Sequence, residues 1–158
     1  MLRTIRLDAS DERVFERAAD PDEWAVSGAF AFADLPAEAL TGKTRQAFAS
    51  GFLGTTSFGR ASLVAVAEID EAGRAATIER LARHLVACYG APSLIAALPA
   101  AADEVGFAAD LCAELPVNTL LAVSRNLGED GIRETFRTIV PARDALHAPV
   151  FGIVADDD

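Results

Sequence analysis

The segment TLLAVSRNLGEDGIRETFRTIV, residues 119–140, decides the fold class of this chain. Two stretches, Thr119 to Arg125 and Ile132 to Val140, flank the turn sequence Gly128-Glu129-Asp130-Gly131. Glycine and aspartate in a short connection between two such stretches are typical of a β-hairpin. The sequence therefore predicts an antiparallel sheet that contains this hairpin.

A symmetric hairpin also predicts which side chains share a face. It places Arg125 opposite Glu134 and Val123 opposite Phe136 on one side. The other face then collects polar and basic side chains, namely Ser124, Asn126, Arg133, Thr135 and Arg137. Such a face could hold an anion or a partner's carboxylates, or it could be an ordinary solvated sheet face. Ser124, Arg133, Thr135 and Arg137 are accordingly a candidate ligand or partner surface.

The first third of the chain has the pattern of further strands. They are predicted at Leu2 to Leu7, Val14 to Ala18 and Trp24 to Ala33, with a turn at Asp20-Pro21-Asp22-Glu23 before the last. Alternation places Trp24, Val26, Gly28, Phe30 and Phe32 on the core face of that last strand. The reverse face carries only small side chains: Ala25, Ser27, Ala29 and Ala31. We expect this flat face, with Ala25, Ser27 and Ala29, to contact a partner.

Helices are predicted in the middle of the chain. One runs from Pro36 to Phe52, one from its cap Asp70 to Gly90, and one from Pro92 to Glu114 with a break near Pro99. The apolar run Ala61 to Ile69 is predicted as a buried strand. Together these elements predict an α+β fold with a mainly antiparallel sheet of five to six strands and about three helices on one face.

Composition limits the class of protein. The 158 residues suit one domain, predicted over 1–154 with an acidic tail over 155–158, and a chain of this size buries roughly 70% of its surface. The net charge of −10 argues against nucleic acid, because phosphate binding needs clustered lysine and arginine. Apolar runs are shorter than the roughly 18 residues of a membrane span, and the N-terminus has no signal-peptide pattern. We therefore expect a cytoplasmic protein.

One segment matches the loosest form of a phosphate-binding loop. Residues 37–44 read AEALTGKT, with Gly42, Lys43 and Thr44 in the positions that would contact phosphate. Phosphate loops need glycine-rich backbone, whereas this segment favours a helix and carries Glu38 where the phosphates would lie. An ordinary helix is the simpler interpretation, and nucleotide binding is the alternative.

Two further features carry possible chemistry. The loop Gly51 to Gly59 offers three hydroxyl groups and two aromatic rings, which suit either a pocket or a structural turn. His84 and Cys88 stand one helical turn apart, but no second pair exists to complete a metal site. Both cysteines, Cys88 and Cys112, are predicted as reduced thiols in the core. The sequence thus predicts no metal site, no cofactor and no catalytic residue.

A family resemblance covers residues 1 to about 141. Four segments carry it: LRTIRLD from Leu2, VFERAA from Val14, EWAVSGAFAF from Glu23, and SGFLG from Ser50. They resemble a bacterial family of small uncharacterised proteins known only as a domain of unknown function. The resemblance implies an accessory role beside a larger cofactor-dependent enzyme and assigns no role to any residue.

Three classes of function follow from these observations. The first is a non-catalytic interaction or accessory protein, with a protein partner or a second copy of the chain forming a homodimer. The second is a small-molecule or nucleotide-binding enzyme that uses the 37–44 segment or the 51–59 loop. The third is an acidic inhibitor of a basic enzyme, which rests on net charge alone.

Overall fold

The computed structural model describes residues 1–141 and 151–155 of the chain. The strands are β1 Leu2–Ile5, β2 Trp24–Val26, β3 Phe52–Gly54, β4 Arg60–Ala61, β5 Leu63–Val66, β6 Leu120–Gly128, β7 Gly131–Pro141 and β8 Phe151–Ala155. The helices are α1 Ser10–Val14, α2 Gly42–Ser50, α3 Glu71–Cys88 and α4 Leu94–Cys112. Short 3₁₀ turns lie at Ala29–Phe32 and Ala37–Ala39.

All eight strands of the described residues form one sheet in the order β4-β3-β2-β1-β5-β6-β7-β8. Each named pair of neighbours is antiparallel, so the α+β class and the antiparallel sheet are confirmed. The predicted counts of five to six strands and about three helices were too low. The predicted tail is divided, because Ala155 ends β8 and Asp156 to Asp158 lie outside the described residues.

The hairpin over residues 119–140 has the predicted register. Arg125 pairs with Glu134, Val123 pairs with Phe136, and Gly128 pairs with Gly131 at the turn. The side chains of β6 alternate between the two faces of the sheet as predicted. Leu121, Val123 and Arg125 are buried on the inward face. The hairpin joins the rest of the sheet through β5.

The core lies between the sheet and the antiparallel pair α3 and α4. It contains the fully buried side chains of Leu2, Val64, Leu81 and Val105. Asp70 caps α3 as predicted, because its carboxylate accepts a hydrogen bond from the Gly73 amide at 2.6 Å. The predicted break at Pro99 was wrong: α4 continues through it from the cap Ser93. Buried Ala97 and Ala101 on either side indicate that packing offsets the one backbone hydrogen bond that proline removes.

The predicted strand from Trp24 to Ala33 was wrong beyond Val26. Gly28 takes a left-handed conformation with φ +78°, which ends the strand and turns the chain into a 3₁₀ turn. A side chain at Gly28 would also meet the Leu53 Cβ and the Arg60 guanidinium. Aromatic and small residues therefore continue to alternate after Val26, but beyond that residue they no longer belong to two faces of a strand.

Three other boundaries differ from the predictions. The strand predicted at Val14 to Ala18 was wrong, because Val14 ends the short helix α1 and, of the predicted residues, only Ala18 forms an isolated bridge, to Arg60. The helix predicted from Pro36 to Phe52 begins only at Gly42, where φ is +57°. The run Ala61 to Ile69 divides into β4 and β5 around Ser62, whose hydroxyl donates to the buried carboxylate of Asp11.

Candidate functional site

A cleft of about 340 Å³ lies where α2, α3 and three loops meet. We call it the Arg60 cleft. Its walls come from the segment after α1, the 3₁₀ turn at Ala29–Phe32, one face of α2, the end of the 51–59 loop, and the last turns of α3. The residues of interest on these walls are Arg17, Phe32, Lys43, Phe58, Arg60 and His84. A volume in this range suits a small ligand.

Two other depressions have larger volumes but a poorer set of functional groups. One lies beside β1 and β5, where the carboxylate of Asp11 is already bonded to Ser62. The other is a shallow, open depression near Met1 and the end of α4. The Arg60 cleft differs from both because cationic and aromatic side chains converge in it.

Arg60 is buried, with only 8% of its surface exposed. Its guanidinium lies 4.8 Å from the centre of the Phe32 ring and donates to the carbonyls of Gly51 and Gly28, each at 3.2 Å. Among the described residues, no carboxylate lies within 4.0 Å of it. Burial and then the charge of Arg125 lower the pKa of Arg60 to about 9, so it stays charged at neutral pH. The cleft thus has a buried cation whose counter-charge is not supplied by these residues.

Two exposed cations stand at the mouth of the same cleft. Arg17 follows α1, and Lys43 lies in the first turn of α2. The N-terminal turn of a helix adds a partial positive charge beside Lys43. Glu16 is the carboxylate among the lining residues, and it is exposed. The cleft is therefore locally positive on a chain whose net charge is −10.

Aromatic rings form the wall beside the cations. The rings of Phe58 and His84 stack in parallel, with centroids 3.7 Å apart and planes at 4°. The Tyr89 ring meets His84 edge-on at 5.5 Å and Phe30 at 5.2 Å. Burial, then Arg17, then Arg60 lower the pKa of His84, so its imidazole is neutral at neutral pH.

Phe58 is held in a strained conformation. Its φ is +56°, in the left-handed region, which costs a residue with a Cβ about 1–2 kcal/mol. Strain of this kind in a bulky residue concentrates at functional sites. Here it places the Phe58 ring flat against His84 at the edge of the cleft.

A buried carboxylate holds the loop that carries Phe58. Glu23 accepts hydrogen bonds from the amides of Asp20, Thr56 and Ser57 at 2.7–2.8 Å and from the Ser57 hydroxyl. The Ser57 hydroxyl in turn accepts from the Gly59 amide. These donors are the ones that could have bound an anion, and the protein's own Glu23 occupies them. The 51–59 loop is therefore a structural turn that contributes Phe58 to the cleft.

The predicted nucleotide segment supplies side chains to the cleft without forming a phosphate loop. Residues 37–44 fold as a 3₁₀ turn followed by the first turn of α2, so their amides do not encircle a ligand. Of the three predicted residues, Lys43 and Thr44 line the cleft and Gly42 begins the helix.

Of the two cysteines, only Cys112 is in the core, where burial raises the pKa of its thiol. The prediction of a core thiol at Cys88 was wrong, because Cys88 is exposed at the rim of the Arg60 cleft. The apolar periodicity of α3 predicts burial as far as Cys88, whereas Leu85 is the last buried side chain of this helix.

The small-residue surface predicted from Trp24 to Ala33 is not present. Ala25 and Ser27 are buried, at 0% and 2% exposed, and Ala29 is half-buried in the 3₁₀ turn. Ala25 packs in the core, and the Ser27 hydroxyl donates to Glu134. These residues are internal contacts of the chain.

The polar face of the hairpin has the predicted geometry. Ser124 pairs with Thr135, and both lie opposite the buried face that carries Arg125. Arg133 and Thr135 are exposed, whereas Arg137 is half-buried and its Nε has no hydrogen-bond partner within residues 1–141 and 151–155. Binding of a partner by Ser124, Arg133, Thr135 and Arg137 stays a prediction. These residues are on different elements from the Arg60 cleft and do not line it.

The structure also bears on metals and membranes. Within residues 1–141 and 151–155, three or more His, Cys, Asp or Glu side chains do not come together in a way that could hold a metal ion. None of the helices described has the length and apolar character needed to cross a bilayer.

Sequence comparison places the chain in a family. It belongs to the family of unknown function DUF6505, whose model matches residues 1–156. No curated protein and no solved structure matches the chain.

Proposed function

We propose that this protein is a binding domain for a small organic anion, which it holds in the Arg60 cleft without chemical turnover. The observation that carries the proposal is Arg60 itself. It is a buried guanidinium whose described contacts are backbone carbonyls and an aromatic ring. A buried charge is costly unless it is paired, and a bound anion would supply the missing partner.

The surroundings of Arg60 support an anionic ligand over a cationic or neutral one. Arg17 and Lys43 add positive charge at the mouth, where they would attract an anion and contact its exposed side. A guanidinium presents its donors as a planar fork, which matches a carboxylate or phosphate group. Phe32 and Phe58 line the same cleft and favour a ligand with an apolar body.

Calorimetric titration with benzoate, acetate and inorganic phosphate tests the proposal. We expect at least one of the three to bind with one-to-one stoichiometry. Lys43→Gln should weaken that binding about fivefold, the effect of about 1 kcal/mol that a partly exposed ion pair contributes. Arg45→Gln is the matched control, because Arg45 is exposed on the same helix but does not line the cleft.

Three results would count against an anion site. The first is no heat of binding with any of the three anions. The second is equal weakening by Lys43→Gln and Arg45→Gln, which would indicate only a general effect of surface charge. The third is conversion of the bound anion into a product, which would show that the protein is an enzyme and not only a binding domain.

A further inference from the structure

We infer that the anion bound in the Arg60 cleft is an aromatic monocarboxylate, a planar ring that carries one carboxylate group. This inference rests on the proposed function and narrows its ligand. Two independent features lead to it: the number of buried cations in the cleft, and the arrangement of its aromatic rings.

The charge of the ligand follows from the depth of the three cations. Arg60 is buried, whereas Arg17 and Lys43 are exposed at the mouth. One buried cation balances one buried negative charge, and a second charge inside the cleft would lose its hydration without an equivalent partner. A monoanion therefore fits better than a dicarboxylate or a phosphate dianion.

The shape of the anionic group follows from the hydrogen bonds of Arg60. Its two terminal nitrogens each donate to one carbonyl, and its central carbon lies 4.8 Å from the centre of the Phe32 ring. The donors that remain lie in the plane of the guanidinium. A carboxylate is planar and can approach in that plane, so that both of its oxygens accept from the same guanidinium.

The body of the ligand follows from the aromatic wall. Phe58 and His84 form one parallel stack, and Tyr89 meets that stack edge-on. The positive φ of Phe58 and the bonds of Glu23 to its loop hold this arrangement in place before any ligand binds. Aromatic pairs gain from offset stacking and from edge-to-face contact, which an aliphatic ring cannot provide. A planar aromatic ring is the body that uses this wall.

The test compares benzoate with cyclohexanecarboxylate, which has the same carboxylate and the same number of ring carbons but no aromatic face. We expect benzoate to bind roughly two- to tenfold more tightly, the range that one or two aromatic contacts contribute. Benzamide, which is aromatic but uncharged, should not bind measurably. Phthalate, which adds a second carboxylate, should bind more weakly than benzoate.

Two variants locate the preference. Phe58→Leu should remove the difference between benzoate and cyclohexanecarboxylate while binding of both persists. If Phe58→Leu does not fold, Tyr89→Leu serves in its place, because Tyr89 is an exposed residue of the same wall. It should reduce the difference in affinity between benzoate and cyclohexanecarboxylate. Phe107→Leu, an exposed ring on α4 outside the cleft, is the control and should change nothing.

The outcomes separate the inference from the proposed function. Equal affinities for benzoate and cyclohexanecarboxylate, or tighter binding of phthalate or phosphate, would overturn the inference. The proposed function would survive that result as long as Lys43→Gln still weakens binding. If none of these anions binds, both the inference and the proposed function are wrong.

Discussion

Among the described residues two arginines are buried, Arg60 and Arg125, and their surroundings differ. The charge of Arg125 is, after burial, a cause of the lowered pKa of Arg60. The Arg125 side chain is fully buried, and its Nε donates to Glu134 at 2.8 Å. Its other donors reach the carbonyls of Phe48 and Gly51 at 2.9 Å and both oxygens of Ser27. Arg60 is also buried but has two carbonyl acceptors and no neighbouring carboxylate among the described residues.

This difference separates a structural arginine from a binding arginine. Arg125 fills all five of its donors within the chain and thereby joins α2, the end of β2 and the β6–β7 hairpin. Burial lowers the pKa of Arg125, while Glu134 counteracts the effect. Arg60, by contrast, donates two hydrogen bonds to the residues that the structure describes, and it lines a cleft. Replacing Arg125 should therefore mainly reduce stability, whereas replacing Arg60 should mainly reduce ligand binding.

The largest effect is expected when Arg125 is removed. Arg125→Met should lower the free energy of unfolding by about 3–5 kcal/mol, because it removes the cation paired with the partly buried Glu134 and the donor to the carbonyls of Ser27 and Phe48. Urea denaturation at neutral pH measures the change. Arg133→Met is the control, since Arg133 is exposed on the opposite face of the same hairpin and should cost less than about 0.5 kcal/mol. A loss below about 1 kcal/mol for Arg125→Met would show that the network is not structural.

Replacing Arg60 should affect ligand binding strongly and stability only slightly. Arg60→Met should change the free energy of unfolding by no more than about 1 kcal/mol, because the relief of an unpaired buried charge offsets two lost hydrogen bonds. Benzoate affinity should fall at least tenfold, corresponding to a charge-assisted bond of about 1.4 kcal/mol or more. Urea denaturation and calorimetric titration measure the two quantities on one sample. Destabilisation as large as that of Arg125→Met would make Arg60 a second structural arginine.

The pH dependence of the cleft gives a smaller effect. The pKa of His84 is lowered below 6.5, so the folded state binds this proton less readily than the unfolded state does. Its contribution to stability is complete above pH 6.5 and is lost as the pH falls through the lowered pKa. A bound carboxylate would raise the pKa of His84, so benzoate affinity should rise as the pH falls from about 7.5 to about 5.5.

The variant His84→Gln isolates this effect. It keeps a planar polar side chain but cannot take up a proton, so its benzoate affinity should stay constant over the same pH range. Calorimetric titration at several pH values in buffers of different ionisation enthalpy measures both the affinity and the proton uptake. An identical pH dependence in the variant would assign the effect to another group.

The sequence allowed the local features of this fold to be predicted, while the cleft depends on contacts between distant segments. The pairing of Arg125 with Glu134 follows from the turn at residues 128–131, and the start of α3 follows from its cap Asp70. Both depend on residues within a few positions of each other. The alternation after Trp24 was misleading, because only the structure shows that Gly28 leaves the strand with a positive φ.

The Arg60 cleft could not be predicted in the same way. Lys43, the 51–59 loop and the His84–Cys88 pair lie in separate local patterns, and the fold brings them together from positions as far apart as 43 and 88. Arg60 itself has no local pattern that distinguishes it from the other arginines. Its burial depends on space at Gly28 and on the carbonyls of two separate loops.

The smallest effect concerns a second carboxylate beside Arg125. Glu104 on α4 is partly buried, and burial, then Glu134, raise the pKa of its carboxyl above 4.5, while Arg125 opposes them. A raised pKa in the folded state means that the contribution of Glu104 to stability is complete below pH 4.5 and is lost as the pH rises through the raised value. Arg125 thus has a surplus of nearby carboxylates, whereas Arg60 has none among the described residues.

Glu104→Gln should therefore raise the free energy of unfolding at pH 7 by less than about 1 kcal/mol and leave it unchanged at about pH 4. Asp110→Asn is the matched control on the same helix, where the carboxylate is exposed. Urea denaturation at the two pH values gives the comparison. Destabilisation by Glu104→Gln at pH 7 would contradict this prediction and would mean that Arg125 needs both carboxylates. The two buried arginines would then differ by two carboxylate partners, because Arg60 has none among the described residues.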